Sequence, residues 1–211
     1  MSYNIKEIYY TLQGEGQHTG RPAVFCRFSG CNLWSGREKD RENAVCKFCD
    51  TDFLGTDGNL GKKYLSSVEL VKAIVSVWPR QIKGKRFVVL TGGEPLLQAN
   101  TELIQCLQSF KFEVAIETNG TIKCPELIDW ICVSPKYGAN LIQKSGDELK
   151  LIFPQKGIQP EQFVHMNFKY FFLQPMDNKQ KQANTLAAID YCLKHPLWRL
   201  SVQTHKLINL P

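Results

Sequence analysis

Short apolar runs alternate with amphipathic segments along most of this chain, and nearly every run ends in a polar or Gly/Pro-containing signature. The runs are Pro22–Phe28 (PAVFCRF), Arg86–Gly92 (RFVVLTG), Phe112–Thr118 (FEVAIET), Trp130–Pro135 (WICVSP), Glu148–Phe153 (ELKLIF), Tyr170–Pro175 (YFFLQP) and Arg199–His205 (RLSVQTH). Their near-continuous Val, Ile, Leu and Phe content predicts strands of a mostly parallel sheet covered on both faces. Between them, Ser67–Trp78, Asn100–Phe110 and Asn184–His195 carry apolar residues at helical spacing, and Ser66 or Ser67 is placed to cap the first. This alternation implies an α/β architecture with right-handed crossovers. At 211 residues the chain is shorter than the about 250 typical of a closed eight-fold barrel. The expectation is an incomplete, open (β/α) barrel of mostly parallel strands, in one domain spanning residues 1–211.

The signatures after the runs are SGCN, TGGEP, ETNG, SPK, QPMD and QTHK. In parallel α/β folds the carboxyl ends of the strands form the functional face, so these segments are expected to converge on one mouth. Turn chemistry explains their Gly and Pro. It does not explain why Glu94, Glu117, Lys136 and His205 recur at the same end.

Eight cysteines and no apolar h-region behind a basic start point to a reducing, cytoplasmic setting. No run approaches the length of a membrane span. A formal charge of +6 suits an anionic ligand or a solvated basic surface, and no Arg/Lys block is long enough to form a nucleic-acid tail, so direct nucleic-acid binding is not expected. Cys26, Cys106, Cys124, Cys132 and Cys192 lie in apolar or helical contexts and read as small hydrophobes. Cys31, Cys46 and Cys49 differ. Fourteen residues separate the first two and two separate the last pair, in a polar setting. Completed by Cys26 or a histidine, they make a structural zinc site. Left as three, they suit a four-iron cluster with one iron lacking a protein ligand.

The ordered set CNLWSGREKDRENAVCKFCDTDF, LTGGEP, ETNG, VSPK, QPMD and SVQTHKLINLP resembles the radical S-adenosylmethionine (SAM) enzymes. With EIYYTLQGEG and GRPAVFCRFSGCN, it is similar from end to end to the 7-carboxy-7-deazaguanine synthase family of queuosine and deazapurine biosynthesis. The superfamily's usual spacing is C-x3-C-x2-C. The insertion at about residues 32–45 departs from it, and is expected to form a solvent-facing cover.

The resemblance implies a lyase that converts 6-carboxy-5,6,7,8-tetrahydropterin to 7-carboxy-7-deazaguanine by hydrogen abstraction at C6, ring contraction and loss of ammonia. It implies a 4Fe-4S cluster on Cys31, Cys46 and Cys49, S-adenosylmethionine on the open iron, and Mg2+ on the Thr51 hydroxyl. Cofactor-binding positions carried over are Phe48, Cys49, Asp50, Gly92, Gly93, Glu94, Asn119, Ser134, Pro135, Lys136, Gln174, Pro175, Met176 and Asp177. Gly92 and Gly93 are expected to let the backbone approach the methionine amine. Substrate positions are Leu12, Gln13, Gly14, Glu15, Arg27, Thr91, Glu117, His205 and Pro211. Arg27 is the cation matched to the substrate carboxylate. The protein orients and excludes water while the cofactor carries the chemistry, so no general acid or base is assigned. A flavodoxin- or ferredoxin-type reductant and a homodimer are further implications. Competing readings are another radical enzyme, such as an activase or a tRNA-modifying member, and a zinc-stabilised binding module without catalysis.

Overall fold

The computed structural model describes residues 1–81 and 83–211. Among the described residues nine strands form one sheet, in the order β3-β1-β2-β4-β5-β6-β7-β8-β9. They are β1 (Tyr3–Leu12), β2 (Pro22–Phe28), β3 (Lys62–Tyr64), β4 (Arg86–Gly92), β5 (Phe112–Thr118), β6 (Trp130–Val133), β7 (Ser145–Phe153), β8 (Asn167–Pro175) and β9 (Trp198–Leu200). From β2 to β9 every pairing is parallel, while β1 runs antiparallel to both β2 and β3. The edge strands β3 and β9 do not pair with each other, so the barrel is open, as expected.

The helices are α1 (Ser67–Val77), α2 (Thr101–Ser109), α3 (Lys181–Lys194) and the single turn α4 (Thr204–Leu207). Ser66 caps α1 by accepting from the Glu69 N–H at 3.2 Å, and Asn100 caps α2 by accepting from Leu103 N–H at 3.0 Å. Asn184, expected to open the third helix, lies one turn inside α3, where its amide bonds the Met176 carbonyl and the Asn178 side chain. One pleat of each strand meets the helices. Val24, Cys26, Phe28, Val88, Leu90, Val114 and Ile116 pack against Leu70, Ile74, Leu103 and Leu107, all buried. Cutting any of these leucines to Ala would cost about 2–5 kcal/mol.

The opposite pleat overturns the expectation of a sheet covered on both faces. At the starts of the strands Ala23, Phe87, Val89 and Ala115 form a small apolar cluster. Further along, the same pleat carries Arg27, Thr91, Glu117, Cys132, Lys150 and Gln174, which face a cavity. The strands read as continuously apolar because the inward residues are apolar over their first half only.

Several boundaries differ from the sequence reading, and β7 and β8 begin three residues earlier than expected, at Ser145 and Asn167. The run Arg199–His205 is not one strand: β9 stops at Leu200, Ser201 N–H bonds the Leu173 carbonyl, and the chain turns inward into α4. The strand expected over Trp130–Pro135 ends at Val133. β1 was not anticipated, because its register shifts between Ile5 and Glu7 and breaks the period of two. No helix among the described residues is long and apolar enough to cross a membrane.

Candidate active site

A cavity of about 370 Å3 opens where the parallel strands end. The pleat decides what lines it. On β2, Phe25 and Arg27 face the cavity, whereas Cys26 between them is buried in the outer core. The connection from β1 to β2 closes the other end. His18 packs on Phe87 and Trp130 at the starts of β4 and β6, with ring centroids 5.1 and 4.2 Å away, and Gly16 and Gln17 donate to Ser201 and Glu148. Gln13, Gly14 and Glu15 are thereby lifted into the cavity wall. The last residues run from β9 back to β1. Thr204 donates twice to the Gly14 carbonyl at 2.9 Å, and the Pro211 carbonyl accepts from Thr11 Oγ1 at 3.3 Å.

At the mouth, Cys31, Cys46 and Cys49 line one side. The insertion between them is only partly solvent-facing. Glu38–Asn43 form an exposed 3₁₀ turn, but Leu33 and Trp34 are buried and line the cavity, which corrects the expectation for the whole segment. Trp34 meets Phe53 edge-on, and the Arg41 guanidinium lies 4.0 Å over the Trp34 ring. Arg41 also donates to the Lys47 and Cys49 carbonyls at 3.1 Å, fastening the insertion to the second and third cysteines.

The thiols fit a cluster. Cys46 and Cys49 interact directly, which lowers Cys49 to about 6 and raises Cys46; the Lys136 ammonium also favours the thiolate forms. Burial pushes the Cys31 thiol up, partly offset by backbone donors. Among the described residues no three His, Cys, Asp or Glu side chains are grouped to hold a metal ion. Cys26, the sequence candidate for a fourth ligand, points away into the core, where burial raises its thiol. His205 lies against Gly14, where a Cβ would collide with its ring. Beside the thiols, Gly93 N–H bonds the Phe28 carbonyl and Glu94 N–H the Gly30 carbonyl at 2.9 Å. A Cβ on Gly93 would strike the Gly30 carbonyl and lie 2.8 Å from Cys31 Cβ. Gly93 is thus required by the cysteine loop packed on it, and Gly92 by the Phe28 backbone at the end of β2, constraints additional to the one expected from a ligand.

The cavity floor is a charge network. Lys150 Nζ donates to Glu15 and, at 3.2 Å, to Glu117. Gln13 donates to Glu117 at 3.0 Å, and Gln174 and Gln203 to Glu15 at 3.0 and 3.1 Å. Burial opposes ionisation of Glu15, but Lys150, Gln203 and His205 outweigh it and hold that carboxyl at about 2. On the β1 side, Arg27 donates to Glu7 and to Tyr9 Oη at 2.8 and 2.9 Å. Across the mouth, Lys206 bridges Asp50 and Asp177. Lys136 donates to the Ser134 carbonyl and hydroxyl at 2.6 Å.

All the carried-over residues line this cavity except Glu94 and Pro135. Glu94 is fully buried behind the wall and accepts from Leu96 N–H, Thr118 Oγ1 and Asn119 N–H at 2.8–3.0 Å. It shapes the wall and does not itself line the cavity. Cys132 is also more than a small hydrophobe, since it lines the cavity and donates to Glu148 at 3.4 Å; Cys106 and Cys192 are only half-buried. The sequence reading missed Glu7, Tyr9, Lys150, Gln203 and Lys206. Lys150 was detectable, since Glu148, Lys150 and Ile152 alternate along a run heading for the mouth.

A parallel, open barrel with three cysteines lining its mouth is the arrangement of the radical SAM class, and the family model of the Radical SAM superfamily matches residues 41–205. The chain is 59% identical to the 7-carboxy-7-deazaguanine synthase of Bradyrhizobium diazoefficiens and 56% identical to that of Caulobacter vibrioides, each over the full length of both chains. The crystal structure of QueE from Escherichia coli superposes with a TM-score of 0.68 at 26% identity, covering 96% of this chain and 94% of that one. The chain therefore belongs to the radical SAM superfamily and, within it, to the 7-carboxy-7-deazaguanine synthases. Membership implies a 4Fe-4S cluster and S-adenosylmethionine.

Proposed function

We infer that this chain is a radical SAM carbon–nitrogen lyase of queuosine and 7-deazapurine biosynthesis, converting 6-carboxy-5,6,7,8-tetrahydropterin to 7-carboxy-7-deazaguanine with loss of ammonia. The observation that carries this reading is the joining, in one cavity, of three thiols at the mouth with the Arg27 guanidinium and the Glu15–Glu117 carboxylates on the inner walls. Cys31, Cys46 and Cys49 would hold the cluster. When bound, the cluster and S-adenosylmethionine supply the one-electron chemistry that removes hydrogen from the substrate.

The chain's own residues bind and orient. Arg27, buffered by Glu7 and Tyr9, matches the substrate carboxylate. Gln13, Glu15 and Glu117 offer acceptors to the amino and ring N–H donors of the pterin. Asp50, Phe48, Gly92, Asn119, Ser134 and the Gln174–Asp177 segment line the part of the cavity assigned to the cofactor. The Thr51 hydroxyl would hold Mg2+, a hard cation that prefers oxygen ligands and would offset the charge of the substrate carboxylate. His205 and Pro211 close the pocket and exclude water. Exposed Arg37, Lys39 and Lys47 beside the cysteines suit an acidic flavodoxin- or ferredoxin-type reductant. We assign the chain a homodimeric state and a reducing, cytoplasmic compartment, in keeping with its eight free cysteines.

The test is anaerobic reconstitution. Loaded protein is expected to absorb broadly near ~400 nm, as thiolate-held clusters do. It should release 5′-deoxyadenosine and convert the pterin. Stoichiometric zinc without iron, or a cluster-loaded protein that leaves the pterin untouched, overturns the reading.

A further inference from the structure

Lys150 stands on the cavity floor with its side chain 4% exposed, yet no strand-end motif marks it. An ammonium is costly to bury unless its charge is matched. Here it is matched twice, by Glu15 from the β1–β2 connection and by Glu117 at the end of β5. The outer oxygens are fixed as well: Gln174 and Gln203 hold Glu15 Oε1, and Gln13 holds Glu117 Oε1. Two carboxylates far apart in the chain are thus tied to one strand, β7. A buried ion pair contributes little stability that apolar packing could not supply. Fixing two like charges side by side is something apolar packing cannot do, because unscreened carboxylates repel until one takes up a proton.

We propose that Lys150 is a positioning residue of the synthase reaction, its ammonium pinning the Glu15 and Glu117 carboxylates as one paired acceptor for the amino and ring N–H donors of the pterin. The proposal rests on the pterin reading of the site. The charged and titratable groups facing Lys150 are Glu15, Glu117, Cys132, Glu148, Lys136 and His205. Glu148 is occupied separately, accepting from Cys132 and from Gln17 N–H, and burial holds it above the usual carboxylate range. Lys136 is turned onto Ser134, and burial holds His205 below the usual imidazole range. Lys150 is the cation in hydrogen-bond contact with both acceptors.

The experiment compares Lys150→Met, Lys150→Gln and Lys150→Arg in the cluster-loaded enzyme. Without the ammonium, Glu15 and Glu117 lose the cation they share, and repulsion between two adjacent carboxylates favours uptake of a proton by the pair. KM for the pterin is expected to rise about ten- to hundred-fold at about pH 7 in the Met and Gln variants, and to recover as pH approaches about 9. Iron content, S-adenosylmethionine affinity and kcat should stay near wild type, and the Arg variant should regain most of the loss. Independently, infrared spectra of Lys150→Met should show a carboxylic-acid C=O band that shifts with 13C-glutamate labelling, titrates away with rising pH and is missing from wild type. A pH profile of kcat/KM parallel to wild type in both the Met and Gln variants overturns the proposal, whether or not activity is lower, because a purely structural role predicts that result. Should Lys150→Met fail to fold, Lys150→Gln carries both measurements. A wild-type enzyme that cleaves S-adenosylmethionine but ignores the pterin overturns the substrate reading instead, and the infrared band then decides the pairing by itself.

Discussion

Arg27 and Glu7 are register partners on the antiparallel pair β1–β2, and the Arg27 Nε lies 2.8 Å from Glu7 Oε1. Tyr9 holds a second face of the same guanidinium, 2.9 Å from its Nη2. The guanidinium is thus aimed into the cavity before any ligand arrives, and only part of its donor set is used. Arg27→Ala is expected to lower kcat/KM for the pterin by about a hundred-fold or more, the effect of losing a charge-assisted pair worth about 3 kcal/mol. Iron content and S-adenosylmethionine binding should be unchanged. Unaltered pterin turnover in this variant would remove Arg27 from the substrate site.

Gly93→Ala tests the cysteine loop. Its Cβ would collide with the Gly30 carbonyl and crowd Cys31. The Gly30 carbonyl is held by the Glu94 N–H, so making room for the Cβ displaces the loop and carries Cys31 with it. Iron bound per chain after reconstitution is expected to fall to less than about half, with the far-ultraviolet spectrum retained.

Lys206 bridges Asp50 in the cysteine loop and Asp177 after β8. Lys206→Ala should free the tail that carries His205 and Pro211. The pair is partly exposed, with the Lys206 side chain 32% accessible, so the expected loss is about 1 kcal/mol, or roughly five-fold in pterin KM. Faster proteolysis after residue 200 should accompany it. The wild-type KM should also rise with ionic strength, and a salt-independent KM would count against the latch.

Glu94 satisfies three donors inside the wall, from Leu96, Thr118 and Asn119. Glu94→Ala leaves them without partners in a dry site, which costs about 2–4 kcal/mol in urea unfolding of the apoprotein. Glu94→Gln keeps an acceptor and should cost less than half of that. Equal losses in the two variants would contradict the wall role.

Glu113 accepts from both Arg21 terminal nitrogens at 2.9 Å, a pair that ties the β1–β2 connection to β5. Arg21 chiefly, joined by Lys85, holds the Glu113 carboxyl at about 2, below its ordinary 4.5. A depressed carboxyl contributes stability that is present above its unfolded value and lost as pH falls through its folded value. The contribution should therefore be full above about pH 4.5 and disappear toward about pH 2. Because Arg21 stays 27% exposed, it is expected to amount to about 1–2 kcal/mol. Glu113→Gln should lower the melting temperature near neutrality and flatten its dependence on pH across that window.

Much of the fold was readable because a parallel strand announces itself by a continuous apolar run. β4 and β5 match their expected bounds to the residue, and β2 does too. β1 was hidden by a bulge and by Lys6, which is buried against Asp52 and Asp57 and reads as a surface charge in the sequence. The run ending in QTHK looked like a strand throughout because Val202 and Leu200 alternate with polar residues. It breaks after Leu200, where pairing to β8 stops at Leu173.

The sequence by itself determined the residue types at the ends of the strands, and through them the class of chemistry and the family. Local composition and ordered motifs are properties of the chain, and they survive whatever the strands pair with. Only the tertiary structure decided which of those residues face the cavity. Glu94 and Glu117 both follow apolar strands, yet one is spent inside the wall and the other stands on the floor. Lys150 becomes the centre of that floor only because strands β5 and β7 and the β1–β2 connection meet there. Side-chain direction follows from pleat phase and register, and pairings between residues this far apart are set by packing of the whole sheet.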